Sequence, residues 1–154
     1  MMMATRPVVA QQLHDGLGDS RTVNRFVEEA LRLSPPPRAL SRVATRDVEL
    51  GGKLILEDSQ VLIMFASANH DQRQFPDPEA FDLGRPNLIG HVTFGAGIHR
   101  CVGLALARME MAVVAREVSR HLRIELAIPV EDICYIPSTS NHSVQRLPLT
   151  YVKR

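Results

Sequence analysis

No long apolar run, no block of like charge and no cysteine framework occurs in this 154-residue sequence, and each absence removes a class of function. The apolar stretches fall far short of the ~20 residues that a membrane span needs. The start, Met1-Met2-Met3-Ala4-Thr5-Arg6-Pro7, also lacks the apolar core of a secretory signal. Eighteen Lys+Arg against 17 Asp+Glu leave a formal charge of +1. With the two signs interspersed, nucleic-acid and anionic-membrane roles have no electrostatic support. Only two cysteines are present, Cys101 and Cys134, with no Cys-x-x-Cys pair. A disulfide framework is excluded, and a reduced, cytoplasmic chain is expected. Internal repeats, low-complexity tracts and a clear linker are absent as well. What is present is 45% apolar content, enough for one hydrophobic core.

Periodicity outlines the elements, and their order predicts an α+β, mainly α fold. Pro7 to Asp15 reads as a short helix, with Pro in its opening turn and Gly16 as its stop. Val23, Phe26, Val27, Ala30 and Leu31 recur at helical spacing and predict an amphipathic helix from Arg21 to Leu33, ended by Ser34-Pro35-Pro36-Pro37. After Val43-Ala44-Thr45, the run Val48 to Leu50, Gly51-Gly52 and Lys53 to Leu56 has the pattern of a β-hairpin. Val61 to Ala66 fits either a buried strand or the start of a helix. From Asn69 to His91, Pro76, Pro78, Gly84, Pro86 and Gly90 interrupt any period, so a long irregular loop is expected. Phe75, Phe81 and Leu83 predict that this loop is packed rather than disordered. Cys101 to about His121 is the longest helical pattern, with Leu106, Met109, Val113, Ala105 and Ala112 on its apolar side. Arg123 to Ile128 alternates as a half-buried strand does, and short strands with a turn at Ser138 to Asn141 follow Pro129.

The chemistry concentrates at Phe94-Gly95-Ala96-Gly97-Ile98-His99-Arg100-Cys101-Val102-Gly103. Two glycines one residue apart allow a tight loop whose backbone can approach a flat partner. Cys101 falls where the long helix is expected to begin, and the unpaired N–H groups and dipole there, with Arg100 alongside, favour a thiolate. A thiolate is a soft ligand for iron. By residue type alone, other readings stay open: a small buried hydrophobe, half of a zinc site, or a phosphate loop. The zinc reading has no second ligand pair, since His91 and Cys134 stand apart, and the phosphate reading lacks the Lys-Ser/Thr partner.

Phe-Gly-x-Gly-x-His-x-Cys-x-Gly, as it stands at Phe94 to Gly103, resembles the haem-binding motif of the cytochrome P-450 superfamily. Glu29-Ala30-Leu31-Arg32 resembles that family's Glu-x-x-Arg element. Phe75-Pro76-Asp77-Pro78-Glu79-Ala80-Phe81 with Arg85-Pro86-Asn87 resembles the meander before the haem loop, and Leu147-Pro148-Leu149 resembles the last strand. In order and spacing these match the carboxy-terminal part of soluble bacterial members over essentially the whole chain. The resemblance implies a partial P-450 domain over 1–154: Glu-x-x-Arg helix, small β-sheet, meander, cysteine haem loop, long helix and terminal strands. It implies haem b (iron protoporphyrin IX) with Cys101 as the axial iron ligand, whose sulfur pushes electron density that favours O–O cleavage.

By the same resemblance, His99 and Arg42 bond the haem propionates, Phe94 shields the thiolate, and Gly95, Gly97 and Gly103 shape the loop. Glu29, Arg32 and Arg85 form a network that holds the haem loop. Helical periodicity by itself says otherwise, since Glu29 and Arg32 project away from the apolar stripe as a solvated pair would. Pro37 to Leu40 and Ser138 to His142 resemble substrate-contacting segments. Arg100, Arg108 and Arg116 are expected to present positive charge to a ferredoxin-type or flavoprotein electron donor. The implied activity is monooxygenation of a small organic substrate. Two departures stand out: Glu57-Asp58-Ser59 replaces the family's usual Pro-x-Gly turn, and no acidic-Thr helix precedes Glu29. The oxygen-activating helix is thus expected from elsewhere, as from a second chain that supplies the missing half. The alternatives are a truncated, catalytically incompetent haem-binding or electron-transfer protein, or a remnant that binds no haem.

Overall fold

A computed structural model describes all 154 residues. The centre of the fold is a helix pair, and the reason lies in one capped, strongly amphipathic segment. Asp19 caps α3 (Ser20–Leu33), accepting from the Arg21 N–H at 2.9 Å and the Thr22 N–H at 3.2 Å. The stripe Val23, Phe26, Val27 and Leu31 is buried against Ala115 of α5 (Leu104–His121) and against Val9 and Leu13 of α2 (Pro7–Asp15). A single turn, α1 (Met2–Thr5), precedes Pro7, and Met2 and Met3 pack on the same core. Ser34 closes α3, and the three prolines that follow cannot continue it.

The β structure is three separate antiparallel pairs. Strand β1 (Leu40–Val43) pairs with β4 (Gln60–Ile63), with Arg42 opposite Val61. Between them β2 (Val48–Leu50) and β3 (Lys53–Ile55) form the expected hairpin, whose turn residues Gly51 and Gly52 take φ of +58° and +73°. Both angles are what a tight two-residue turn asks for, and glycine adopts them without steric cost. Asp58 takes φ +63° in the turn where the sequence departs from Pro-x-Gly. At the carboxy-terminal end, β5 (Leu122–Leu126) runs directly out of α5 and pairs with β6 (Leu149–Lys153). The apolar run at 61–66 resolves as both alternatives, the end of β4 followed by α4 (Phe65–Ala68). The loop from 69 to 91 has only one 3-10 turn, Leu88–Gly90, yet Phe75 and Leu88 are buried and Phe81 packs 5.3 Å from Phe26, ring centroid to centroid.

Two expectations need correction. Helix α5 begins at Leu104 rather than Cys101, since Cys101, Val102 and Gly103 turn before Gly103 takes the N-cap position. Its expected apolar side is inward only in part. Leu106, Met109 and Val113 are exposed, and the buried positions are Ala115 and Ser119, with Met111 and Ala112 packed on the core. A helix with apolar residues on more than one side offers no periodic signal for which side is inward.

Candidate functional site

Cys101 is a free, exposed cysteine at the end of the glycine loop. The loop gets its shape from Gly95 and Gly97, at φ +69° and +64°, and from a 3-10 turn over Gly97–His99. It is closed by the Cys101 N–H donating to the Phe94 carbonyl at 2.8 Å. A methyl at Gly103 would stand 3.9 Å from the Cys101 sulfur, so the residue that opens α5 also borders the thiol. The thiol faces a concave cavity of about 410 Å³ lined mainly by apolar groups, among them Leu40, Phe65 and Phe94, with Arg42 and His99 as its basic members. Arg100, expected beside the thiol, does not line this cavity and instead lines a separate groove.

This donor set can be tested for fit to the group that the motif implies. No cluster of three or more His, Cys, Asp or Glu side chains could hold a metal ion. A bare ion would have one soft donor at Cys101. A haem, whose iron brings its own nitrogen ligands, would ask the protein for one soft donor, an apolar seat and cations for its carboxylates, and Cys101, the apolar lining, Arg42 and His99 fit that description. Two segments resembling substrate regions also meet at the cavity's edge. The Arg38 N–H donates to the Ser140 carbonyl and the His142 N–H to the Pro36 carbonyl, each at 2.7 Å, while Pro36, Pro37 and Leu40 line the cavity.

Glu29 and Arg32 are 0% exposed, which overturns the solvated pair that periodicity predicts. The meander is what covers them. Arg32 grips Glu29 with Nε and Nη2 at 2.8 and 2.9 Å, and donates onward to the carbonyls of Asn69, Pro78 and Ala80. Arg85, 3% exposed, donates to Glu29 Oε1 at 3.1 Å and to the carbonyls of Pro76, Asp77 and Ala80. Burial pushes the Glu29 carboxyl up, but the hydrogen bonds from Arg32, the Asp82 N–H and Arg85 outweigh it and hold it below the usual carboxylate range. An irregular loop has carbonyls without secondary-structure partners, and two guanidinium groups supply the donors.

Sequence reasoning missed a second network beside it. Glu28 receives the Arg108 fork, Nε to Oε1 at 2.7 Å and Nη2 to Oε2 at 2.8 Å, and His91 Nε2 at 3.0 Å. Burial raises this carboxyl too, and His91 and Arg108 more than reverse the effect. Arg108 is therefore not a free docking charge as expected. Nothing local in the sequence marks the set, because Glu28 lies 63 residues from His91 and 80 from Arg108.

The comparisons agree with this architecture. The family model described as Cytochrome P-450 matches residues 14–152. Cytochrome P-450 109 of Bacillus spizizenii is 40% identical over 92% of this chain and 34% of its own length. The 6-deoxyerythronolide B hydroxylase of Saccharopolyspora erythraea is 38% identical over 85% of this chain and 32% of its own. Among solved structures, substrate-free Mycobacterium marinum cytochrome P-450 CYP150A6 superposes with a TM-score of 0.90 at 30% identity, covering 99% of this chain and 38% of that one. The fold is thus a partial P-450 fold, and the chain belongs to the cytochrome P-450 family, whose members are haem-thiolate monooxygenases. It spans about a third of the length of the curated relatives that it matches. No helix is long and apolar enough to cross a membrane.

Proposed function

We propose that this chain is the carboxy-terminal, haem-binding part of a P-450 monooxygenase, taking haem b in the cavity beside Cys101, whose thiolate would hold the iron. Bound there, haem supplies the redox and dioxygen chemistry by which one oxygen atom of O₂ enters an organic substrate. The chain's own residues do the rest. Leu40, Phe65 and Phe94 give an apolar seat that excludes water. Arg42 and His99, the basic members of the lining, hold the propionates. Gly95 and Gly97 keep side-chain bulk off the loop, and Glu29, Arg32 and Arg85 hold the meander behind it. The segments 36–40 and 138–142 present one wall to substrate.

Electrons arrive outside that cavity. Arg21, Arg100 and Arg116 line a groove of about 790 Å³ there and have no acidic partner, which suits an acidic ferredoxin-type or flavoprotein donor. Oxygen activation and the roof over the substrate belong to the part of the family fold beyond this third, contributed by further polypeptide.

The observation that carries the proposal is a free thiol opening onto an apolar cavity whose basic lining residues are Arg42 and His99. Titration of the purified chain with haemin tests it. Saturable uptake of one haem per chain is expected, weakened at least tenfold by Arg42→Ala and stripped of thiolate ligation by Cys101→Ala. No uptake by the folded wild-type chain, or uptake indifferent to both changes, would overturn it.

A further inference from the structure

Glu28, His91 and Arg108 converge outside the lining of the haem cavity; Glu28 and Arg108 border the donor groove, but bound to each other they offer it no free charge. The carboxylate lies on α3, the imidazole just before the loop and the guanidinium one turn into α5. Thr93 donates its backbone N–H to His91 Nδ1 at 3.3 Å, which leaves the Nε2 hydrogen for Glu28. Both partners of the carboxylate also address the same ring. The Arg108 guanidinium carbon stands 5.1 Å from the centroid of Phe94, and the His91 ring lies 6.3 Å from it, tilted by 42°. Phe94 is the residue whose carbonyl receives the Cys101 N–H.

We infer that Glu28, His91 and Arg108 are positioning residues for the Cys101 loop: one carboxylate fixes a cation and an imidazole against Phe94, and Phe94 fixes the backbone at the thiol. The purpose assigned rests on the haem reading above, whereas the mechanical claim does not. Adjacent residues of α3 thereby have separate tasks, Glu29 binding the meander and Glu28 the loop. Other anchors, Asn69 to the Val92 N–H at 2.8 Å and Thr93 Oγ1 to the Leu31 carbonyl at 2.8 Å, hold the loop's entry. Of these polar anchors, the Glu28 set is the one that addresses the Phe94 ring, which also packs on the α3 core. The planar fork and the stacking over the ring are properties of arginine that lysine does not share.

Hydrogen exchange of the haem-free full chain, read on the peptide covering residues 94–101, tests this. Arg108→Lys and Glu28→Gln should speed exchange there at least tenfold and leave the β2–β3 hairpin unchanged. Phe94→Leu, which removes the ring and spares the ion pair, should do the same. Arg120→Lys, on the exposed Glu117 pair, is the control and should change nothing in the loop. Unchanged loop exchange in Arg108→Lys, or equal acceleration across the whole chain, overturns the inference. With haem bound, Arg108→Lys should also lower the share of thiolate-type CO complex, a ratio that mere loss of stability does not move. A wild-type chain that takes no haem would sink the functional proposal, and the exchange result would still decide this one.

Discussion

Position 101 acquires meaning from its neighbours rather than from its residue type. A lone cysteine is most often a small hydrophobe, yet here it is exposed, bordered by Gly103 and closed by a backbone hydrogen bond to Phe94. The glycines carry a checkable share of that geometry. At Gly97 a Cβ would touch nothing, so the only penalty for Gly97→Ala is its φ of +64°. We expect a loss of about 1–2 kcal/mol, read as a lower urea midpoint with an unchanged slope. These residues were legible because they are contiguous: ten positions in a row announce the loop. Glu28 and His91 were not, since their meaning depends on contacts made by folding across 63 and 80 residues.

Among the elements, the meander shows how an irregular segment becomes rigid without a strand or helix of its own. Two buried arginines tie its carbonyls to one glutamate of α3. Removing one partner leaves a buried charge uncompensated, so Arg32→Ala should cost about 3–5 kcal/mol in chemical denaturation and abolish haem incorporation. Normal haem content in that variant would return Glu29 and Arg32 to a purely local role.

Acid acts on the same elements. Glu28 and Glu29 are both held below the usual glutamate range, so above that range, about pH 4–5, they are ionised in folded and unfolded chains alike, and their full contribution is present. As pH falls below it the unfolded chain takes up protons first, and stability is lost until the folded carboxylates protonate as well. Thermal midpoints measured from about pH 6 down to about pH 3 should fall most steeply in that window. Glu28→Gln/Glu29→Gln should be less stable at neutral pH and show a shallower fall. Element identity was readable from period and punctuation for α2, α3 and the hairpin. The inward side of α5 was not, because its apolar residues are distributed around the helix and only packing partners choose between them.

The whole molecule exposes 10237 Å². A monomer of 17.1 kDa ordinarily exposes about 7,800 Å². Leu106, Val113 and Val114 of α5, Leu50 and Leu54 of the hairpin, and Ile98 and Val102 beside the thiol are among the exposed apolar groups. Such a surface fits a chain that spans about a third of its curated relatives. It should bind the dye ANS while folded, with fluorescence that declines through the urea transition instead of first appearing there. Length and composition alone describe a self-sufficient domain, whereas the motifs resemble one part of a larger fold, and the exposed apolar groups accord with that resemblance.

The central claim is that Cys101 is an iron ligand in a formed proximal site, and the absorption spectrum of the reduced, CO-treated haem complex tests it most directly. The account predicts a strongly red-shifted, thiolate-type Soret band in the wild-type chain that is lost in Cys101→Ala while bound haem remains detectable. A haem complex whose CO spectrum lacks that band, or keeps it after Cys101 is replaced, would contradict it.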